Sequence, residues 1–399
     1  MLKSTIPAPS RPKPSIQEVL SQARRISEFA AHNASKVDHA GAFPIEEFKQ
    51  IAAAGLLLAP LDRAVGGLGL GIDASTTYEL LTILKLIGRG NLAVGRIYEG
   101  HVNALQLIQT FGTAEQIEQY AEDVRDRQKI FGVWNAEDVD RLHIIPLENG
   151  NYRLEGCKTF ASGSGYVDRP FVNGTLPDGR WQMCIVPMDE VATIADPAWW
   201  QPSGMRATAS YKVDFSGVEL PKTALIGQPD DYYRQPWLTA GVVRFAAVQL
   251  GGAEALFDEA RRFLHSLERT KDPYQEERFG KMAIALETGN LWLKGAADLI
   301  MNYAPKFAGS PNETRSEATQ LIAYTNMVRT AIEQICLDVM QLVQRSVGTR
   351  GLLPPLEIDR INRDLTLYLR QPAFDAAIAN IGQYALSHSE SVDQLWQIQ

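Results

Sequence analysis

Cysteine is scarce in this sequence. Cys157, Cys184 and Cys336 are the only three, far apart and in no metal-ligand spacing. Neither a disulfide framework nor a metal site is expected, and a reducing, cytoplasmic setting is the default. Dense basic runs are missing as well, and the formal net charge is −8. Without clustered Lys and Arg to displace counterions, nucleic acid is excluded as a partner. No uninterrupted apolar stretch reaches the roughly 18 residues that a membrane-spanning helix needs, so no membrane partner is expected. The first fifteen residues lack an apolar segment and carry Pro7, Pro9, Pro12 and Pro14, which reads as an extended arm rather than a signal peptide. Internal repeats and low-complexity tracts are absent too.

What the sequence does have is apolar content, 45% of 399 residues, enough for a large core divided over two or three domains. After the arm (1–15), helical signals dominate residues 16–128. Ser15 and Glu18 have capping-box spacing, and Ile16, Val19, Leu20, Ala23, Ile26, Phe29 and Ala30 recur at helical period. Pro44 opens a second helix that Gly55 stops. Val65 to Gly71 is too glycine-rich for helix and predicts a loop in which bare backbone approaches something. Helices follow from Asp73, from about Asn91 to Phe111, and after the Thr113–Gln116 cap. Residues 129–226 switch to short β-rich runs punctuated by Asn149-Gly150 and Asp178-Gly179, which predicts an antiparallel β domain, sandwich or barrel. Residues 227–399 return to long helical periods near 237–268, 275–305, 313–347 and 373–387, an up-and-down four-helix bundle. The fold class is therefore mostly α with a central β domain.

Four segments in order carry a resemblance. Phe43-Pro44 with Ala54-Gly55-Leu56 and Gly66 to Gly69 is the first. Tyr152 to Ser162 is similar to a "Y-x-L-x-G-x-K-x-W-I-T/S" strand pair. Gly204-Met205-Arg206 through Pro221 resembles "G-M-R … F-x-x-V-x-V-P", and Arg363-Asp364 matches an Arg-Asp pair after the third bundle helix. Over about residues 16–390 the chain resembles the acyl-CoA dehydrogenase superfamily. That implies its fold, FAD (with FMN or transiently bound reduced flavin as alternatives), a small-molecule substrate and a homodimer or homotetramer. The resemblance gives Phe160 a place on the flavin ring and Ser162 a hydroxyl near its reactive nitrogen; both fit the chemistry of a flat ring that accepts hydride. Trp134 and Asn135 hold the end of the earlier flavin-side strand, and there the usual loop is replaced by the acidic Glu137-Asp138. Arg278 matches an arginine sent to a neighbouring subunit's cofactor, and Gly348 ends a shortened adenine-side segment.

The resemblance also exposes a vacancy. The family removes an α-proton with a carboxylate, usually nine residues after the Arg of Arg-Asp, otherwise just before the Arg that opens the first bundle helix. Those positions are Pro372, preceded by Gln371, and Val243, preceding Arg244. None can take a proton at neutral pH. Glu99 and Asp375 are the nearest substitutes. A second branch, the reduced-flavin monooxygenases, needs no such base and uses polar groups, often His; His101 and Gln371 are its candidate catalytic residues here. Three readings stand at this stage: a flavin-dependent oxidoreductase acting on CH–CH donors such as acyl thioesters, a reduced-flavin monooxygenase, and a non-catalytic ligand- or partner-binding relative.

Overall fold

The computed structural model describes residues 14–234, 237–307, 315–371 and 373–396. Pro372 and most of the proline-rich arm lie outside the described residues, as does part of the loop expected over 304–311.

The N-terminal helices are α1 (Ile16–Asn33), α2 (Ile45–Ala53), α3 (Thr77–Gly90), α4 (Leu92–Phe111) and α5 (Ala114–Arg127). Their starts are capped as the sequence dictates. The Glu18 amide donates to Ser15 Oγ at 3.3 Å while Glu18 Oε2 accepts from the Ser15 amide at 2.7 Å. Thr113 and Gln116 repeat the motif, and Gln116 Nε2 then reaches the carbonyls of Thr223 and Leu225 at 2.8 and 2.7 Å, tying α5 to the β region. The glycine loop approaches its own chain: a Cβ on Gly67 would sit 2.0 Å from the Leu61 carbonyl oxygen.

The middle region has ten strands: β1 (Phe131–Trp134), β2 (His143–Pro146), β3 (Tyr152–Glu155), β4 (Cys157–Ala161), β5 (Arg169–Thr175), β6 (Trp181–Ile185), β7 (Ile194–Asp196), β8 (Tyr211–Asp214), β9 (Glu219–Leu220) and β10 (Leu225–Ile226). One sheet runs β10-β6-β5-β2-β3-β9 with β1 beside β5; the other is β4-β8-β7. Most pairings are antiparallel, as expected from the turns. Two depart from the expectation: β1 and β2 both pair with β5 in parallel. The chain leaves β1, builds the hairpin and β4, and returns so that Arg169 starts β5 level with Phe131, the Asp168 carboxylate accepting from the Ile130 amide at 2.8 Å.

The last part is α6 (Trp237–Ser266), α7 (Pro273–Phe307), α8 (Arg315–Gly351), α9 (Ile358–Tyr368), α10 (Phe374–Ser387) and α11 (Val392–Leu395). The four long helices match the predicted bundle, and α9, short and strongly amphipathic, is additional. Helix α6 is the axis of the molecule; it packs on α3, α4, α7, α8 and α9. The Lys85–Glu254 bridge at 2.6 Å and the Arg89–Asp258 pair cross from α3 to α6. One apolar cluster runs unbroken from α1 through both sheets into α9, so the helical and strand regions share a core. All three cysteines are buried thiols.

Candidate functional site

Helix α9 fixes one wall. A Cβ on Gly204 would lie 2.0 Å from the Arg363 carbonyl oxygen, so only glycine lets the 203–205 loop lie against the helix. Asp364 Oδ1 accepts from the Met205 amide at 2.6 Å, and its other oxygen pairs with Arg360 at 2.9 Å. Arg363 holds Asp38 at 2.7 Å and donates to the Ser203 carbonyl at 2.8 Å. The Arg-Asp pair is thus a bracket between the bundle and the β region. Burial raises the Asp364 carboxyl while Arg360 pulls the other way.

The strand wall ends at Phe160. A register shift between Lys158 and Ala161, with Phe160 at φ +50°, throws that side chain out of the sheet. Its ring is 52% exposed and stands edge-on to Trp199, 4.8 Å between centroids. Two residues on, Ser162 Oγ sits 2.9 Å from Ser210 Oγ, which lies 2.7 Å from Thr208 Oγ1, a relay of hydroxyls. Trp134 does not share this surface. It is 1% exposed and donates from Nε1 to the Ser162 carbonyl at 2.9 Å, bracing the strand from beneath. Asn135 donates to Tyr232 Oη at 2.9 Å and leaves its own Oδ1 buried without a partner. The acidic loop is neutralised from below, where fully buried Lys158 holds Glu137 at 2.6 Å. Burial pulls the Lys158 ammonium down and Glu137 opposes that.

These features fit a flavin ring: an exposed aromatic face, a hydroxyl two residues away and an unsatisfied amide oxygen. Arg278 and Gly348 lie elsewhere. Gly348 breaks α8 at φ 58°, ψ −168°, and next to it Ser346 accepts from Gln275 Nε2 at 3.2 Å. Beside Gln275, a cavity of about 200 Å³ is lined by Leu264, His265 and Phe279. Leu264 is separated from Arg244 by roughly 30 Å of α6 at helical rise. Arg278 lies on α7 between Gln275 and Phe279, which line that cavity.

Between the two walls lies a buried polar layer. Arg96, Glu99, Asn103 and Gln106 occupy one face of α4. Arg96 pairs with Glu99 Oε2 at 2.7 Å, and Asn103 donates to Glu99 Oε1. From α6, Arg244 donates to Asn103 Oδ1 and Gln106 Oε1. Tyr368 on α9 faces Arg96 and Glu99 with a buried hydroxyl that has no partner; burial raises it well above the usual phenol range, so it stays protonated. Burial also lowers Arg244 to about 10, with Glu99 opposing, which leaves it a cation at neutral pH.

The predicted polar residues fare differently. His101 is fully buried. The Phe131 amide donates to its Nδ1 at 3.1 Å, which places the proton on Nε2, and Nε2 donates to the Leu57 carbonyl at 2.9 Å. Neither nitrogen is left for a substrate, and burial lowers the imidazole to about 4. Gln371 caps α9, donating to the Tyr368 carbonyl at 3.1 Å. Val243 is wholly in the core. Asp375 is exposed on α10, on the side of Glu333, and Glu99 is committed to Arg96 and Asn103. Sequence reasoning missed Arg96, Asn103, Gln106, Tyr232 and Tyr368. A signal existed for the first three: polar residues at helical spacing with Glu99, within an otherwise apolar helix.

Residues 14–127 match the acyl-CoA dehydrogenase N-terminal domain and residues 243–370 the acyl-CoA dehydrogenase C-terminal domain. The chain belongs to the acyl-CoA dehydrogenase family, and by class it is a flavoprotein oxidoreductase. It is 26% identical over 394 residues to a dibenzothiophene monooxygenase of Rhodococcus erythropolis, 92% of each chain being covered. It is 23% identical to the probable FMNH2-dependent monooxygenase SfnC of Pseudomonas putida, over 96% of this chain and 97% of the other. The solved complex of TdsC from Paenibacillus sp. A11-2 with FMN and indole superposes with a TM-score of 0.84 over 96% of this chain and 100% of that one; at 22% identity this likeness is one of fold.

Proposed function

We propose that the chain is a reduced-flavin-dependent monooxygenase acting on a small organic substrate held between Phe160, α4 and α9. The observation that carries the reading is the state of the base positions. Val243 is sealed in the core, Gln371 is an amide turned onto α9, and the nearest carboxylate, Glu99, is held by Arg96 and Asn103. α,β-Dehydrogenation needs a carboxylate free to take a proton, whereas oxygen insertion does not. The likeness to monooxygenases over nearly the whole chain supports the same choice.

Reduced flavin, when bound, supplies two electrons to dioxygen, so that one oxygen atom enters the substrate and the other leaves as water. The chain's residues do the rest. Phe160 offers a flat surface to the ring, and Asn135 offers an unsatisfied acceptor. Ser162 presents a hydroxyl whose proton is backed by Ser210 and Thr208. The Tyr368 hydroxyl is a buried, protonated donor without a partner. His101 is assigned an architectural role.

The test supplies reduced FMN or FAD from an external flavin reductase and NADH, and follows oxygen uptake and oxygenated product over a panel of small aromatic and organosulfur compounds. Substrate-dependent oxygenation is expected. Bleaching of the oxidised flavin band by an acyl-CoA under anaerobic conditions would overturn the reading.

A further inference from the structure

We propose that Arg244 is an anion-recognition residue, and that the substrate carries a small oxyanion, a carboxylate or a sulfinate. This deepens the monooxygenase reading and rests on it for the location of the substrate.

The argument is one of charge and hydrogen bonds in the layer between α4, α6 and α9. Its ionised groups are Arg96 and Glu99 on α4 and Arg244 on α6; Tyr232 and Tyr368 face it as neutral phenols. Two cations against one anion leave a net positive charge in a partly buried layer. Glu99 is already used by Arg96 and Asn103. Arg244 has only the neutral amide oxygens of Asn103 and Gln106, and makes no salt bridge among the described residues. Arg244 is half-buried, and a partly desolvated guanidinium without a carboxylate gains from an incoming anion.

The geometry leaves that anion a place. Arg244 spends Nε and Nη1 on the two amides, while Nη2 has no partner among the described residues. Gly241 lies beside this nitrogen; a Cβ there would be 3.6 Å away, an ordinary contact. The buried Tyr368 hydroxyl, also without a partner, is a second donor in the layer. Two unsatisfied donors, one cationic and one phenolic, suit a two-oxygen anion better than a neutral ring. Val243 and the segment just after α9 are the two positions from which this family delivers its base, so an anion bound at Arg244 lies beside them.

Isothermal titration calorimetry on the full chain, with and without FMN, compares probes of matched shape: benzoate with benzamide, and benzenesulfinate with methyl phenyl sulfoxide. The anionic members should bind roughly ten- to hundredfold tighter, the range for a hydrogen bond to a charged group. Arg244→Gln should abolish the preference and Arg244→Lys should retain part of it. FMN affinity, read by quenching of flavin fluorescence, should not change in either. Equal or undetectable binding of both members by the unaltered chain overturns the proposal, and needs no variant to fold. So does a preference that survives Arg244→Gln, or one lost together with FMN affinity, which would assign Arg244 to the flavin. If anion preference holds while oxygenation fails, the monooxygenase reading falls and the anion site stands.

Discussion

Two faces of α4 carry buried polar residues, and they have opposite fates. On one face His101 is enclosed with both nitrogens bonded to backbone, one to the 3₁₀ turn at Leu57 and one to the first residue of β1. On the other, Arg96, Glu99, Asn103 and Gln106 meet Arg244 and Tyr368 in a layer whose charges and hydrogen bonds do not close. A satisfied buried group holds a fold together. An unsatisfied one stores a binding preference for something that is not yet there. Residue type alone would have ranked them the other way round, since histidine is the usual suspect.

That contrast can be broken or sharpened by experiment. The largest effect concerns the open face. If no carboxylate there can act as base, reduction of the loaded flavin by acyl-CoA thioesters should be slower by about 10²–10⁴-fold than with a positioned base. Anaerobic stopped-flow at the oxidised flavin band measures it, and rapid bleaching abolished by Glu99→Gln would show Glu99 to be free after all.

The closed face should respond in stability. The His101 pKa falls from 6.5 to about 4 because burial disfavours the cation. The unfolded chain therefore binds the extra proton between those values, and stability rises with pH there. It is fully present above pH 6.5 and lost as pH falls towards 4, in total about 3 kcal/mol. Urea melts of His101→Gln should show a shallower pH dependence than the unaltered chain between pH 6.5 and 5. An equal slope would mean that the imidazole is not held neutral.

Smaller effects are expected at the flavin. Phe160→Ala removes an exposed ring from the cofactor face and should weaken flavin affinity by about 1–2 kcal/mol, measured by fluorescence titration. An unchanged affinity and flavin spectrum would misplace the strand. The smallest belongs to Arg278, on α7 next to the cavity at Gln275 and Phe279. If a second copy presents it, Arg278→Ala should cost flavin affinity about 1 kcal/mol, and light scattering should find a dimer or tetramer. A monomer near 44.2 kDa would sink the arrangement.

The helix and strand regions were legible because periodicity and capping act locally. Ser15 with Glu18 and Thr113 with Gln116 close their capping boxes as spacing dictates. Helix α9 escaped although Ile358, Ile361, Leu365 and Tyr368 recur at helical spacing, because its eleven residues are short beside the long bundle helices; the parallel pairing of β1 with β5 escaped because turn residues report hairpins, not returns. Only the family motif pointed to Phe160 as a ligand-facing residue; its exposed, outward turn comes from a bulge that residue spacing does not reveal. Trp134 is buried beneath Ser162, a placement that alternation along a strand does not reveal.

By itself, then, the sequence determined the order of helices, strands and bundle, the starts of the capped helices and the vacancy at Val243 and Pro372, since each depends on residues near one another in the chain. Only the tertiary structure decided which polar residues were spent. His101 finds its partners 44 and 30 residues away, and Arg244 finds its own 141 and 138 residues away. Whether a buried group is satisfied is a property of groups brought together by folding, and no window of sequence contains both.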